Sequence, residues 1–353
     1  MQVFDLTKLR GVNSEQKFVA DTVYSGVGSC HNIVINEDKG VAYLVGCKST
    51  NGGGPIFIDI SNPKNPVSIG DYTSEGYSHD AQVVTYDGPD ISYKGKEIYI
   101  GSNETEIVIL DVTDKNNVRK ISTVSYPQIG YTHQGWFSED HRYFIVGDET
   151  DEQNYGMNTR TLIFDLQNLD KPVLSSTYLG EMKAIDHNGY VKGNEFFLSS
   201  YTAGMRVFDI SNISSTSEAM VEIGFFDTYP DNDNTSFDGV WSVYPFFSSG
   251  NIIINDINRG MFIVRKNSTL SIEPTIVTKN SVTIYPNPSM SRVLLSTSNG
   301  KIETVSIFTI LGNKVFSIEN IDSEFLEMDV NHFSKGVYLM RINDSLVKKL
   351  IVN

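Results

Sequence analysis

Short apolar strands recur along the first three quarters of the chain in two alternating phrases. One phrase is an apolar strand that ends in Asp and is followed by an aliphatic residue, a small polar residue and a turn. The other begins with a polar pair, usually containing histidine, and leads into two strands separated by a turn. The two phrases contribute three strands, and a further strand follows each Asp. Together they make a repeating unit of four antiparallel strands about fifty residues long. The Asp copies are Asp5, Asp59, Asp111, Asp165 and Asp209.

Four-stranded units that repeat at this period are typical of the blades of a β-propeller. The apolar residues lack a 3.6-residue periodicity, which excludes a helical solenoid. Residues 1–6 and 17–24 resemble the third and fourth strands of a blade, and the last unit stops near Lys266 after three strands. We therefore expect an all-β propeller over residues 1–266, incomplete at its N-terminus, with about five and a half blades present and upstream sequence missing. Because each repeated Asp stands where a strand becomes a turn, we expect an Asx turn there, not a catalytic carboxylate.

A different unit follows the propeller. Residues 267–280 have the composition of a linker, and residues 281–353 contain seven short strands in about seventy residues. Strands of this number and length predict a small immunoglobulin-like β-sandwich.

The C-terminal unit resembles the type A sorting domain of the type IX secretion system. The motifs that carry the resemblance are Tyr285-Pro-Asn-Pro288, Ile307-Phe-Thr-Ile-Leu-Gly312, Phe333-Ser-Lys-Gly336-Val-Tyr338 and Lys348-Lys-Leu-Ile-Val352. The resemblance implies export by the type IX machinery to the exterior or outer surface of a Gram-negative bacterium. Members of that family first cross the inner membrane with a signal peptide. This chain opens without a basic and apolar leader, in agreement with a truncated N-terminus.

The propeller is similar to the choice-of-anchor B family of LVIVD-repeat surface proteins. The similarity lies in Met1–Arg10, His31–Asn36, Asp227–Pro230 and Trp241–Asp256. It implies a whole propeller of about seven blades. The family contributes no established activity, so an extracellular protein or glycan is the expected partner.

Composition narrows the range of partners. The net charge of -15 disfavours nucleic acid, because phosphate binding needs a cationic surface. It equally disfavours adhesion to anionic lipid. Since no run of about 18 apolar residues occurs, the sequence predicts no transmembrane span.

Four of the six histidines occupy one position of the repeat, at the start of the innermost strand of a blade. Such a position would set them in a ring at one mouth of the propeller channel, where imidazole and carboxylate side chains could hold a transition metal or, if protonated, an anion. The alternative is architectural, with polar residues that join neighbouring blades, and the pattern favours it. The candidate residues are His31, His79, His133 and His187, with Asp238 at the equivalent position and with the adjacent Asp80 and Asp186.

Two acidic loops are weaker candidates, because alternating oxygen ligands can wrap Ca²⁺. One contains Asp148, Glu149 and Asp151, and the other contains Asp231 and Asp233. Neither has the Gly and terminal Glu of an EF-hand, and solvated acidic turns explain them more simply.

Cys30 and Cys47 flank a predicted hairpin. If Asn36 pairs with Val41, the two cysteines lie directly opposite each other, which is compatible with a disulfide in an oxidising compartment. Two free thiols in a core remain the alternative.

No catalytic signature emerges from the sequence: it has no G-x-S-x-G, no P-loop and no dinucleotide fingerprint. Trp136 and Trp241 recur at matching positions of two blades, and core packing explains them better than stacking on carbohydrate. We therefore expect a non-enzymatic binding module. The alternative is a metal-dependent hydrolase or lyase that works at the histidine ring.

Overall fold

The computed structural model describes residues 1–266, 282–297, 300–310, 312–343 and 346–353. The chain divides into two compact units, Met1–Lys266 and Asn267–Asn353. The predicted linker, residues 267–280, lies outside the described residues. Each unit is built from antiparallel sheets.

The first unit consists of sheets whose strands follow one another in chain order, which is the topology of propeller blades. A two-stranded sheet contains β1 (Gln2–Val3) and β2 (Thr22–Val23). Four four-stranded blades follow. The first contains β3 (Asn32–Asn36), β4 (Val41–Val45), β5 (Ile56–Asp59) and β6 (Val67–Asp71), and the second contains β7 (Asp80–Thr85), β8 (Glu97–Ser102), β9 (Ile107–Asp111) and β10 (Arg119–Val124). The third contains β11 (Thr132–Phe137), β12 (Tyr143–Asp148), β13 (Arg160–Asp165) and β14 (Val173–Leu179), and the fourth contains β15 (Gly189–Lys192), β16 (Glu195–Ser199), β17 (Met205–Asp209) and β18 (Val221–Phe226). A three-stranded sheet, β19 (Val240–Tyr244), β20 (Asn251–Asp256) and β21 (Gly260–Arg265), ends the unit.

Among the described residues, helix is confined to short segments between strands. One α-helix, α1, spans Asp151–Tyr155, and 3-10 turns span Leu6–Leu9, Glu37–Lys39 and Asn51–Gly53. The first strands of successive blades, β3, β7, β11, β15 and β19, lie against one another. They therefore form the inner surface of the propeller.

The core lies between the blades. Along each strand, alternate side chains point toward the neighbouring blade and pack against its facing side chains. Ile100 of β8 and Phe144 of β12, for example, belong to one apolar cluster. Separate clusters of this kind join each complete blade to the next and the last complete blade to β19–β21. Because the cores are local, each blade needs its neighbours to bury its apolar faces.

The repeated Asp forms the predicted Asx turn in all five copies, where one carboxylate oxygen accepts the backbone N–H two residues further on. The donors are Thr7, Ser61, Thr113, Gln167 and Ser211, at 2.8–3.1 Å. These carboxylates shape turns, and the prediction of a structural role is confirmed.

The hairpin of β3 and β4 pairs Asn36 with Val41, as the sequence predicts. Beyond the strand ends, Cys30 and Cys47 form a disulfide. It closes the hairpin next to His31.

The second unit is a β-sandwich. One sheet contains β22 (Val282–Tyr285), β23 (Arg292–Thr297) and β26 (Phe325–Asp329). The other contains β24 (Val305–Thr309), β25 (Lys314–Ile318), β27 (Gly336–Ile342) and β28 (Leu346–Val352). The inward residues of both sheets share one apolar core.

Candidate metal centre

The structure brings the four repeated histidines into one continuous row. Each lies at or just before the first strand of its blade, so the stacking of blades also stacks the imidazoles. Ring centroids are 3.9 Å apart between His31 and His79, 4.4 Å between His79 and His133, and 4.2 Å between His133 and His187. Gly46 makes room at the start of the row, since a Cβ there would lie 2.5 Å from Cβ of His31. The row runs from the exposed His31 to the buried His133 and His187.

Burial keeps the inner imidazoles neutral. Desolvation, reinforced by the neighbouring His31, lowers the pKa of His79 to about 4. Desolvation lowers the pKa of His187 to about 3 and that of His133 well below its usual value. Neutral imidazole is the form that ligates metals, whereas the protonated form would be needed to attract an anion.

Glu149 completes the inner end of the row. Its Oε2 lies 3.5 Å from Nε2 of His133, and its Oε1 lies 3.6 Å from Nε2 of His187. One ligand atom from each of these residues lies within 4.8 Å of the other two. Within the part of the chain that the structure describes, they are the one group of three or more His, Cys, Asp or Glu residues with such an arrangement.

The hydrogen bond that His187 makes through Nδ1 determines whether Nε2, the nitrogen that faces Glu149, carries a proton or a lone pair. Nδ1 of His187 bonds the backbone carbonyl of Trp241, which can only accept, so we assign the proton to Nδ1. Nε2 then directs a lone pair at a carboxylate oxygen, which is unfavourable unless a proton or a metal ion lies between them. A proton on Glu149, whose pKa is raised by burial, together with an Nε2–H of His133 would satisfy both contacts, and a metal ion bound to the two Nε2 atoms would satisfy them as well. The arrangement is therefore a candidate metal centre.

Local anchors place Glu149 at the histidines. The preceding residue, Asp148, is fully buried, and its carboxylate accepts the N–H groups of Gly130 at 2.8 Å and Tyr131 at 2.7 Å. The N–H of Glu149 donates to the carbonyl of Tyr131 at 3.0 Å. The hydroxyl of Tyr201 donates to Oε1 of Glu149 at 2.9 Å. Such supporting bonds orient a ligand carboxylate.

Three carboxylates proposed from the sequence face elsewhere. Asp80 accepts the side-chain amide of Asn32 at 2.7 Å, and burial raises the pKa of Asp80 to about 7. Asp186 accepts the hydroxyl of Ser200 at 2.6 Å. Asp238 accepts the side chains of Ser236 and Asn258 at 3.0 and 2.9 Å. The first two are buried polar joints, and none of the three belongs to the His–Glu–His group.

Within the described residues, no three carboxylates of the two acidic loops converge on one point. In the first, Asp148 ends β12, and Asp151 begins α1 and pairs with Nε of Arg160 at 2.6 Å. In the second, Asp231 pairs with Arg259 at 2.7 Å, and Asp233 is exposed. Only Glu149 of the five carboxylates reaches the histidines.

Aromatic side chains that the sequence did not assign surround the row. The Tyr131 ring lies 5.0 Å from that of His79, and the Tyr201 ring lies 5.1 Å from that of His187. Trp136 packs against Tyr190, as core packing requires. Trp241 is 50% exposed, so the expectation of core packing is wrong for this residue. Of these contacts, only that of Tyr131 with the histidine row could have been inferred from the sequence, because Tyr131 lies two residues before a repeated histidine.

Two family models match the chain. Residues 283–353 match the secretion system C-terminal sorting domain, and residues 51–74 match the LVIVD repeat. The chain thus carries an LVIVD repeat in its propeller and a type IX sorting domain at residues 283–353, which implies a secreted or outer-surface protein. Among the described residues, no helix is long and apolar enough to cross a membrane.

Two curated relatives are similar over part of the chain. Ulvan lyase NLR42 of Nonlabens ulvanivorans is 28% identical over 144 residues, which cover 34% of this chain and 26% of that protein. An endo-acting ulvan lyase of Formosa agariphila is 30% identical over 88 residues, covering 24% of this chain and 17% of that protein. The chain spans about a quarter or less of the length of these relatives. A crystal structure of a Lactobacillus plantarum protein has a TM-score of 0.51 and 12% identity over 87% of this chain and 91% of that one, which shows similarity of fold alone.

Proposed function

We propose that this LVIVD-repeat protein, exported through its type IX sorting domain, uses its propeller to bind a divalent transition metal and to present that metal to an extracellular ligand. The observation that carries the proposal is the pairing of two neutral Nε2 atoms with the two oxygens of one largely buried carboxylate, at 3.5 and 3.6 Å. The ligands are His133, Glu149 and His187.

The distances suit a small ion. Ligand atoms that lie 2.0–2.1 Å from a tetrahedral ion are separated from one another by about 3.4 Å. The two His–Glu separations, each measured to a different oxygen of Glu149, are close to that value, and one ligand atom from each of the three residues lies within 4.8 Å of the other two. Two imidazoles and one carboxylate favour Zn²⁺ or a related transition metal over Ca²⁺, which takes six to eight oxygen ligands. Three protein ligands leave a fourth position for a ligand from outside.

Support for a binding role comes from two sides. The sorting domain directs the protein to the cell exterior, where an extracellular protein or glycan is available as partner. The hydroxyl of Tyr201 and the carbonyl of Trp241 hold the ligand side chains in place, which suits a preformed site.

Metal titration of the full chain tests the proposal. We expect the chelator-treated protein to bind one equivalent of Zn²⁺, with affinity reduced on the order of 100-fold or more in Glu149→Gln and in the double variant His133→Ala, His187→Ala. His141→Gln is the matched control, because His141 lies outside the row and accepts the N–H of Asp87. Absence of stoichiometric zinc from the wild type, or equal affinity in wild type and Glu149→Gln, would overturn it.

A second candidate function is a metal-dependent lyase. Two relatives that match 34% and 24% of this chain are named as ulvan lyases, and a three-ligand site with a fourth position is the arrangement of catalytic zinc. In such a reaction the metal would hold a uronate carboxylate while a base removes the C5 proton. The C4–O bond breaks, a C4=C5 double bond forms and the leaving oxygen takes a proton. His79 is the nearest candidate base, since its Nδ1 bonds the carbonyl of His133 at 3.1 Å and its Nε2 then carries a lone pair.

The two functions differ in product. Incubation of ulvan with the zinc-loaded full chain should yield unsaturated uronates, seen by ultraviolet absorbance, if the lyase is correct, and His79→Gln should abolish them. Binding of zinc without any unsaturated product would leave the binding role and remove the lyase.

A further inference from the structure

We propose that a second cation site lies between the third and fourth blades, where Glu152 holds a calcium ion together with Asp151 and Asp186. This site is separate from the His–Glu–His group and takes a different kind of ion. The inference goes beyond the proposed function, because it rests on buried carboxylates that do not belong to the histidine row.

Three buried carboxyl groups come together from two connections of the chain. Asp151 and Glu152 begin α1, which connects β12 to β13, and Asp186 lies in the connection from β14 to β15. These residues are 0%, 2% and 1% exposed. Burial, the carboxylate of Asp186 and that of Asp151 all raise the pKa of Glu152, so the three groups lie close together. Carboxylates of like charge in a dry interior need a compensating positive charge.

Several oxygens of this cluster have no donor. Within the described residues, neither Oε1 nor Oε2 of Glu152 has a hydrogen-bond partner, and Oδ1 of Asp151 has none either. The hydroxyl of Thr159, a residue that is 3% exposed and lies near Asp186, is also without a partner. Buried polar atoms are normally paired, so this group of oxygens indicates a ligand that accepts their lone pairs.

The basic side chains nearby do not neutralise the cluster. Arg160 donates its Nε to Oδ2 of Asp151 at 2.6 Å, and its terminal nitrogens bond backbone carbonyls. Arg206, whose charge acts on Asp186, forms its ion pair with a different residue. Among the residues that the structure describes, Glu152 and Asp186 therefore have no ion-pair partner. A cation from solution would supply the missing charge.

A single proton would leave part of the cluster unsatisfied. A proton shared between Glu152 and Asp151 gives one oxygen of each carboxyl group a partner. The second oxygen of Glu152 and the hydroxyl oxygen of Thr159 would still have none. A metal ion accepts lone pairs from all of these oxygens at once, so the cluster as a whole favours an ion.

The ligand chemistry and the spacing favour calcium. Carboxylate and hydroxyl oxygens are hard ligands, and Ca²⁺ binds about six to eight of them at about 2.3–2.6 Å, so that opposite oxygens are about 5 Å apart. The three carboxylates do not all lie within the 4.8 Å that joins the His–Glu–His group, which suits this larger ion and not a tetrahedral one. Mg²⁺ holds its ligands at about 2.0–2.1 Å and keeps several waters, which a buried site disfavours.

The ion would fix the two segments that carry ligands of the proposed transition-metal site. Glu152 lies three residues after Glu149, and Asp186 directly precedes His187. The sorting domain directs the protein to the cell exterior, where protein modules bind Ca²⁺ with a Kd of about 10⁻⁴–10⁻³ M. A calcium ion at this place would therefore support the propeller after export.

Calorimetric titration of the full, chelator-treated chain with Ca²⁺ tests the inference. We expect the wild type to bind one equivalent with a Kd below about 10⁻³ M, and to bind Mg²⁺ at least about ten-fold more weakly. Glu152→Gln keeps the size of the side chain and removes its charge, so it should weaken Ca²⁺ binding about ten-fold or more. Asp233→Asn is the matched control and should bind as the wild type does, because Asp233 is an exposed carboxylate of the other acidic loop.

Urea unfolding supplies a second measurement. The midpoint of the wild type should rise with Ca²⁺ concentration, because an ion that binds only the folded chain stabilises it by mass action. The midpoint of Glu152→Gln should not respond. If Glu152→Gln does not fold, as judged by circular dichroism, Thr159→Val takes its place. It removes one ligand oxygen and keeps the shape of the side chain, and it should weaken both Ca²⁺ binding and the response of the midpoint.

The outcomes separate the two sites. Ca²⁺ binding that persists in Glu149→Gln and is lost in Glu152→Gln supports a calcium site of its own. Loss of Ca²⁺ binding in Glu149→Gln would place the ion at the His–Glu–His group and overturn the inference. Absence of saturable Ca²⁺ binding by the wild type, or equal affinity in wild type and Glu152→Gln, would also overturn it and leave a proton shared between Glu152 and Asp151. Equal affinity for Ca²⁺ and Mg²⁺ would contradict the choice of ion.

Discussion

Asp148→Asn is expected to loosen both the fold and the proposed metal site, because this buried carboxylate positions Glu149. Its Oδ2 accepts Gly130 N–H at 2.8 Å and the Tyr126 hydroxyl at 3.0 Å, and its Oδ1 accepts Tyr131 N–H at 2.7 Å. The side chain is completely buried, so water cannot replace a lost partner.

The size of the effect follows from these bonds. Asparagine has one acceptor oxygen, so in either orientation its NH₂ group confronts a backbone N–H that has lost its acceptor. A buried donor without a partner costs about 1–3 kcal/mol, and bonds to a charged acceptor are worth about 1.5–3 kcal/mol. We therefore expect the free energy of unfolding to fall by about 3 kcal/mol. Zinc affinity should fall about 10- to 100-fold, as for other residues that orient a ligand.

Urea unfolding followed by tryptophan fluorescence reports the propeller, since both tryptophans lie in it. Zinc titration of the folded variant gives the second quantity. Asp231→Asn is the control, because Asp231 is exposed and its ion pair with Arg259 should be worth less than about 1 kcal/mol. A variant Asp148→Asn with wild-type stability and wild-type zinc affinity would refute the reasoning that this carboxylate holds Glu149 in place.

Two further predictions concern the joints of the propeller. Glu97→Ala should lower the free energy of unfolding by about 3–5 kcal/mol, because Glu97 pairs with Lys115 at 2.6 Å and accepts the Tyr43 hydroxyl at 2.6 Å in a buried seam between blades. Urea unfolding measures the loss, with Asp87→Ala, which removes an exposed ion pair, as the control. Equal losses in the two variants would contradict the argument. Reduction of the Cys30–Cys47 disulfide, which links residues 17 positions apart, should lower the free energy of unfolding by about 3 kcal/mol. Urea unfolding with and without reductant tests this. The variant with both cysteines changed to serine should show no response to reductant.

Much of the architecture could be predicted because it repeats. The Asp at the end of each third strand stands at the same place in each copy, and its carboxylate makes the same bond to the backbone two residues on. The pairing of Asn36 with Val41 follows from the alternation of residues around one tight turn. Such features depend on contacts between residues close in sequence, which a pattern of residue types records.

The candidate site could be predicted in part. The repeat indicated that His133 and His187 lie at equivalent positions, and equivalent positions of adjacent blades stack. The role of Glu149 was hidden, because its approach to the histidines depends on the anchoring of Asp148 by the loop before β11. In the sequence the same residues resemble a solvated acidic turn.

What the sequence by itself determined is the set of strands, their order within each blade and the alignment of the histidines, because strand periodicity and repetition are local properties of the chain. Only the tertiary structure decided which side chains meet across blades. Glu149 rather than Asp80, Asp186 or Asp238 joins the imidazoles, because the latter three are held by hydrogen bonds to other partners. Trp241 lies exposed beside them although Trp136, at the same repeat position, is packed, because burial depends on the neighbours that each blade finds in space.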